Sequence, residues 1–541
     1  MKRLTLIVPL LLVACEPADE AAVQVDVYTA EGTMHDGILV AGPADLMELV
    51  VERPDGPPLV ETFSLSAGTG SVTSIPVGDD LRITARGFRG DEPTVHFYGA
   101  SARFSVADGD SVRVPVQVGR GDCIGLNRVA QGRDGSLGGK ADLQDRRIGA
   151  TFTPLPDGRV LIAGGAEVGP DGAPERVHDT VELFDPVYNQ MLRLPWRLDE
   201  PRAFHTATLL DSGQILIVGG INGVIGLGQV SLSDRAALID IDGLRPVRQL
   251  PDPIPAEPRA RHQAVALHDS LNTVLIVGGE GAGGAPLASA VRFFPPIDGD
   301  PIDGIFREQG DLHEARVDHT ANRLGRTSEP ALIAGGRGAA GALSSVELFT
   351  LNPAQAGCAG DAPPSLERGC FIRPAGVALP SPRYGHAAVT LGRGLEVLVV
   401  GGYAGDDRSD ALDALTLVDA ANFSAADVGQ LDLARGDLAA VEVNDGLDPF
   451  VLAVGGRSGG APKTAAERLN RRVTENGGER SVAYVSEPLA DGCALSEARS
   501  ELSAVGLDNR TVLLIGGLIR TNDGFTGSRR VEFYFPRVNA F

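Results

Sequence analysis

The sequence predicts an all-β chain, a small sandwich followed by a sevenfold array of sheets. Three observations predict it. An apolar run ending in Gly-Gly returns seven times, as in HTATLLDSGQILIVGG from His205 to Gly220. Apolar residues come in short runs separated by turn clusters such as PDGPP and ADGD. Gly 69 and Pro 36 among 541 residues are enough to punctuate many turns without making the chain low in complexity.

The bulk numbers bound the rest. Hydrophobic residues at 43% and charged residues at 22% give the composition of a folded globular protein. The length implies at least two domains, within reach of a large propeller or barrel plus one smaller unit. Lys and Arg number 48 against 71 Asp and Glu, so the net charge is 48 − 71 = −23. Lys occurs only at Lys2, Lys140 and Lys463. Nucleic acid is excluded as a partner, because phosphate backbones need a basic face.

Residues 1–14 read as a lipoprotein signal peptide. MKRLTLIVPLLLVAC has basic Lys2 and Arg3, then an apolar run from Leu4 to Val13 too short to span a bilayer. Leu12-Val13-Ala14-Cys15 resembles the bacterial lipobox, which implies cleavage before Cys15 and acylation of that residue. The resemblance makes the chain an exported lipoprotein whose membrane partner is reached through acyl chains. Residues 15–22 form an acidic tether. Glu16 stands where enterobacterial sorting rules usually place Asp for inner-membrane retention, so the cell envelope location expected is the outer membrane, at its periplasmic or cell-surface face.

Residues 23–120 alternate apolar and polar positions in ELVVE, DDLRITA, VHFYG and SVRVPVQV, which predicts the β-sandwich. The segment resembles immunoglobulin-like or carboxypeptidase-regulatory-like sandwiches. A spacer role is expected.

Residues 123–541 carry the array. The Gly pairs fall at Gly164-Gly165, Gly219-Gly220, Gly278-Gly279, Gly335-Gly336, Gly401-Gly402, Gly455-Gly456 and Gly516-Gly517. Upstream of them stand Arg146, Arg202, Arg259, Arg316, Arg383, Arg435 and Arg499. Three residues after each Arg come Gly149, His205, His262, His319, His386, Leu438 and Leu502. A unit of about 55 to 65 residues is repeated. Each unit then offers a turn such as PDG or DSG, a buried run such as ILIVGG, a variable loop, and a strand such as VELFD at Val181 or VEFYF at Val531.

This order resembles the kelch repeat of the galactose-oxidase-like propeller superfamily. The resemblance implies a seven-bladed kelch-type β-propeller, each blade four-stranded around a central channel. The last repeat ends soon after VEFYF, so CIGLNRVA, from Cys123, is expected to complete the seventh blade and avoid an open edge.

With Cys15 assigned to lipid, Cys123, Cys358, Cys370 and Cys493 remain, and three pairings are possible. Cys358 with Cys370 would staple a Pro/Gly-rich insertion, and Cys123 with Cys493 would lie near the seam between the last blades. No spacing suits zinc, so neither a metal nor any other cofactor is expected.

The aligned histidines sit in different blades and are expected to be structural. A kelch-type copper radical oxidase would need a Tyr-Cys cross-link, and the cysteines have disulfide assignments. A mutarotase or epimerase of kelch type has no local motif by which to judge it. The acidic loops from Asp298 and Gly405 lack the ordered ligand spacing of a calcium site. The seven arginines are the candidate ligand-binding residues, their forked donors suited to carboxylates of a peptide or acidic sugar. The competing reading has each Arg tie its own blade to the next through backbone carbonyls. The function expected is that of a non-catalytic binding or adhesion scaffold for a protein or glycan, acting as a monomer. The alternative is a carbohydrate-active enzyme.

Overall fold

A computed structural model describes residues 4–6, 20–29, 46–64, 75–88, 95–107, 110–127, 141–224, 230–296, 304–325, 329–352, 367–392, 394–405, 408–444, 448–476 and 479–537. The fold is all-β, and among the described residues no helix is long and apolar enough to cross a membrane. Cys15, the tether up to residue 19, and Cys358 lie outside the described residues. So do most residues of the expected leader, of which Leu4–Leu6 pairs with Val25–Val27.

The N-terminal unit follows one hydrogen-bonded path. Leu4–Leu6, Glu20–Thr29, Ser111–Arg120, Phe97–Ala100, Gly78–Phe88, Leu46–Glu52 and Leu59–Ser64 lie side by side in that order. The path is continuous because Ser111–Arg120 pairs parallel to Glu20–Thr29 and antiparallel to Phe97–Ala100. Val23, Val25 and Val27 share a core with Leu49, Val51 and Ile83, so strands well separated along the path cover one core. The alternation seen in the sequence is what puts these residues on one face.

Seven four-stranded antiparallel sheets follow. Sheet 1 comprises Thr151–Pro154, Val160–Ala163, Thr180–Asp185 and Gln190–Arg197. Sheet 2 comprises Thr206–Leu209, Ile215–Val218, Ala236–Ile239 and Val247–Gln249. Sheet 3 comprises Gln263–Ala266, Val274–Val277, Ala290–Phe294 and Ile305–Glu308. Sheet 4 comprises Thr320–Arg323, Ala331–Ala334, Val346–Thr350 and Cys370–Ile372. Sheet 5 comprises Ala387–Leu391, Glu396–Val400, Ala414–Asp419 and Ser424–Gln430. Sheet 6 comprises Ala439–Val443, Phe450–Val454, Ala466–Asn476 and Glu479–Pro488.

Sheet 7 takes Ser503–Gly506, Val512–Ile515 and Val531–Phe535 from the chain's end and its fourth strand, Cys123–Leu126, from before sheet 1. Cys123 faces Phe535 and Leu126 faces Glu532 in register. The Cys123–Cys493 disulfide bonds this strand to the segment between sheets 6 and 7. Cys370 is also disulfide-bonded.

The first strand of each sheet neighbours that of the next, and sheet 7 returns to sheet 1. The core is accordingly divided among the interfaces. In sheet 1, Leu161 and Ala163 pack toward sheet 2, while Val160 and Ile162 pack toward sheet 7. A strand covered on both faces must be apolar throughout, which is why VLIA, ILIV and VLLI do not alternate. Burying one such side chain fully contributes about 1.5–3 kcal/mol.

Candidate functional site

The conserved phrase within this chain is a fastening. Six arginines donate to the carbonyl of the first glycine of their own Gly pair. Arg147 reaches Gly164 at 2.7 Å, Arg202 reaches Gly219 at 2.9 Å and Arg316 reaches Gly335 at 2.8 Å. Arg259 with Gly278, Arg383 with Gly401 and Arg499 with Gly516 repeat the contact. Arg435 binds Ala453 instead. The second glycine then donates its N–H to the carbonyl of the next sheet's arginine, as Gly165 does to Arg202 at 2.7 Å and Gly220 to Arg259 at 2.8 Å. A Cβ on Gly164 would lie 2.2 Å from the Arg202 carbonyl, and one on Gly401 would lie 2.3 Å from that of Arg435. The pairs of sheets 1 to 6 therefore each join one sheet to the next.

Two expectations about the arginines need correction. The residue in register in sheet 1 is Arg147, not Arg146, which donates to the Gly527 carbonyl at 2.8 Å. Arg-to-Gly spacing varies between sheets, 17 residues in sheet 2 and 19 in sheet 3, so counting could not separate two adjacent arginines. Arg202, Arg259, Arg316, Arg383, Arg435 and Arg499 are also fully buried and bound within their own sheets, so they do not face the channel mouth as a ring of free forks.

Four third-strand glutamates complete the fastening. Glu182 pairs with Arg147 at 2.6 Å and Glu347 with Arg316 at 2.5 Å, and Glu467 and Glu532 pair with Arg435 and Arg499. The same carboxylates accept N–H groups three residues before each arginine, from Gln144, His313, Asp432 and Ser496. The signal was present in VELFD and VEFYF, where an acid interrupts a buried strand.

The histidines staple neighbouring sheets. His205, His262 and His386 bind Thr151, Thr206 and Thr320 of the preceding sheet at 3.0, 2.9 and 2.9 Å. Burial first, and the adjacent arginine second, push His205 and His386 down to about 3 and hold His262 and His319 well below the usual imidazole range. They are neutral packing groups.

Two residues beyond each fastening arginine, the backbone turns left-handed: Gly149, Phe204, Arg261, Asp318, Gly385, Asp437 and Glu501 all have φ between 51° and 61°. Their amides link across sheets, Phe204 N–H to Gly149, Gly385 to Asp318, Asp437 to Gly385 and Glu501 to Asp437. This geometry brings side chains from sheets 4, 6 and 7 to one end of the ring. Arg408, from the loop within sheet 5, lies 3.1 Å from Asp437, 3.4 Å from Glu501 and 4.0 Å from Asp318. Arg261 lies 3.8 Å from Asp318 and 3.4 Å from Glu280, and stacks on Phe204. Tyr403 donates to Asp437 at 3.1 Å, and Arg408 N–H donates to the Tyr384 hydroxyl.

One guanidinium thus serves three carboxylates. Burial pushes the Asp437 carboxyl up to about 7; Arg408 opposes the shift, and Glu501 and Asp318 add to it. Burial would lower Arg408, but Asp437, Glu501 and Asp318 hold it above the ordinary guanidinium range. Burial likewise raises the Tyr403 phenol. The arginine and Asp318 keep about a quarter and a sixth of their side chains exposed, so the cluster reaches the surface. Sequence reasoning missed it, since Arg408 lies in the loop from Gly405, which was weighed only as a calcium site. The other three were hidden beside the arginines that drew attention. Among the described residues no group of three or more His, Cys, Asp and Glu is placed to hold a metal.

Compared with known proteins, the chain matches no family model and no curated protein.

Proposed function

We propose that the chain is a lipid-anchored envelope protein whose sheets form a seven-bladed kelch-type β-propeller, and that the ring mouth recognises a protein or glycan without catalysis. The propeller reading is supported by the closed succession of four-stranded sheets and by the Arg and Gly-Gly fastening repeated around it. The observation that carries the binding reading is the Arg408 cluster, where charged and aromatic groups of several sheets converge at one partly open surface. Residues 15–22 then act as the tether, and the N-terminal unit as a spacer from the outer membrane.

Probing arrays of defined glycans and purified envelope proteins with the full chain tests this. A retained partner whose binding weakens at least about tenfold in Arg408→Ala is expected, since a hydrogen-bonded charged contact contributes about 1.5–3 kcal/mol. Unchanged binding in that variant contradicts the reading. Cys15→Ser is expected to move the protein from the membrane fraction to the soluble fraction.

Asp437 favours a second reading, a carbohydrate-active mutarotase or epimerase. A carboxyl that titrates near neutrality beside a tyrosine is suited to general acid–base work. Polarimetry of anomeric sugars separates the two: catalysed equilibration abolished by Asp437→Asn would replace the scaffold with the enzyme.

A further inference from the structure

The ring's opposite end carries a second site. A cleft of about 810 Å3 opens between the N-terminal sheet and the turns of sheets 6 and 7, with Arg82, Arg103, Glu52, Glu442, Arg510 and Thr511 in its lining. That volume is in the range of small-molecule sites, which favour junctions between domains.

Three features of its arginines distinguish it from a passive seam. Arg82 is almost fully buried and binds the Asp508 carbonyl at 2.8 Å and its carboxylate, but its Nε has no hydrogen-bond partner among the described residues. Arg103 is half exposed and shares its donors between Asp80 and Asp508. Arg510 makes no side-chain hydrogen bond or ion pair among the described residues.

The position of Arg510 is the most informative. Its N–H bonds the Leu507 carbonyl in the turn between the first two strands of sheet 7, as Gly158 bonds Leu155 and Gly213 bonds Leu210 in sheets 1 and 2. Those glycines have φ of 84° and 82°, and Arg510 is held at 70°. A bulky residue in this left-handed conformation is strained by about 1–3 kcal/mol, which persists where surrounding structure or function requires it. Here a glycine position presents an unpaired fork to a cavity.

We propose that this cleft binds an anionic, polar small molecule of sugar size. Arg510 holds its carboxylate or phosphate together with the half-exposed Arg103, while the buried Arg82 fixes Asp508 beneath them. Glu52, Glu442 and Thr511 accept from its hydroxyls. Ligand binding there bridges the two units, because Arg103 comes from one and Arg510 from the other. This proposal is independent of recognition at the ring mouth.

Glucuronate, glucose 6-phosphate and glucose are titrated into the full chain by calorimetry, with thermal unfolding in parallel. Saturable binding of one or both anionic sugars, but not of glucose, is expected; a preference between the two identifies the anion as carboxylate or phosphate. Arg510→Gly restores the residue that sheets 1 and 2 use, so it is expected to unfold at a higher temperature while binding about tenfold more weakly or worse. Arg103→Ala is expected to weaken binding as well. No binding of either anionic sugar, equal binding of glucose, or full affinity in Arg510→Gly overturns the proposal.

Discussion

Gly164 and Gly213 both hold a positive φ, 62° and 82°, yet their surroundings differ. A Cβ on Gly164 meets the Arg202 carbonyl, whereas one on Gly213 meets nothing within 4 Å. Gly213→Ala is expected to cost about 1–2 kcal/mol, from backbone strain alone. Gly164→Ala adds a backbone clash and is expected to cost about 2–5 kcal/mol, read from urea unfolding. Glu532→Ala strands Arg499 without its buried partner and is expected to cost about 3–5 kcal/mol in the same assay. The pH dependence follows from the buried titrating groups. The four histidines are held neutral, so the unfolded chain takes up protons first, and stability falls as pH drops from about 6.5 toward 3, by about 1.4 kcal/mol per unit for each. Asp437 acts oppositely: its raised carboxyl contributes stability at low pH that is lost as pH rises through about 7. Replacing His262 with Gln should flatten the acid limb by one proton, which unfolding curves at several pH values will measure. The arginines were legible as repeated positions, but not their direction. Burial of a charge depends on a partner elsewhere in the sheet, and Glu182 lies 35 residues from Arg147.

At the level of strands, sheet 7 depends on a strand from the far side of the sequence. The edge left open by Val531–Phe535 is covered by Cys123–Leu126, as the need to close an edge predicted. The disulfide spans a sequence separation of 370. In the chain-entropy account, closing so long a loop stabilises the fold by about 5–6 kcal/mol. Cys123→Ser with Cys493→Ser is therefore expected to lower stability by several kcal/mol and to expose Cys123–Leu126 to early hydrogen exchange, with sheets 2 to 4 least affected. Equal protection in both proteins would mean that strand pairing alone seals the ring. The strands themselves were readable, because a both-sides-buried run such as VLLI and a turn such as DSG are local signals. The continuous path of the N-terminal sheet was not, since Glu20–Thr29 and Ser111–Arg120 pair in parallel across a long separation that no local pattern records.

Across the whole molecule, the two ends of the ring differ in what they expose. One end gathers Asp318, Asp437 and Glu501 around Arg408, with Arg261 and Phe204 joined to them through Asp318, because every sheet makes the same left-handed turn there. The other end seats the N-terminal unit, through Arg82 on Asp508, Tyr98 on the Asn509 carbonyl and Asn509 on Ala100. The ring order could be anticipated from the repeat. The identity of the mouth side chains could not, because the turn fixes the backbone and leaves the side chain free to vary. Hydrogen–deuterium exchange of the full chain, with and without the partner retained on the arrays, tests recognition at the mouth most directly. Protection is predicted in the turns carrying Phe204, Arg261, Asp318, Asp437 and Glu501 and at Arg408. Protection confined to the opposite turns, such as those at Gly158, Gly213 and Arg510, would contradict it.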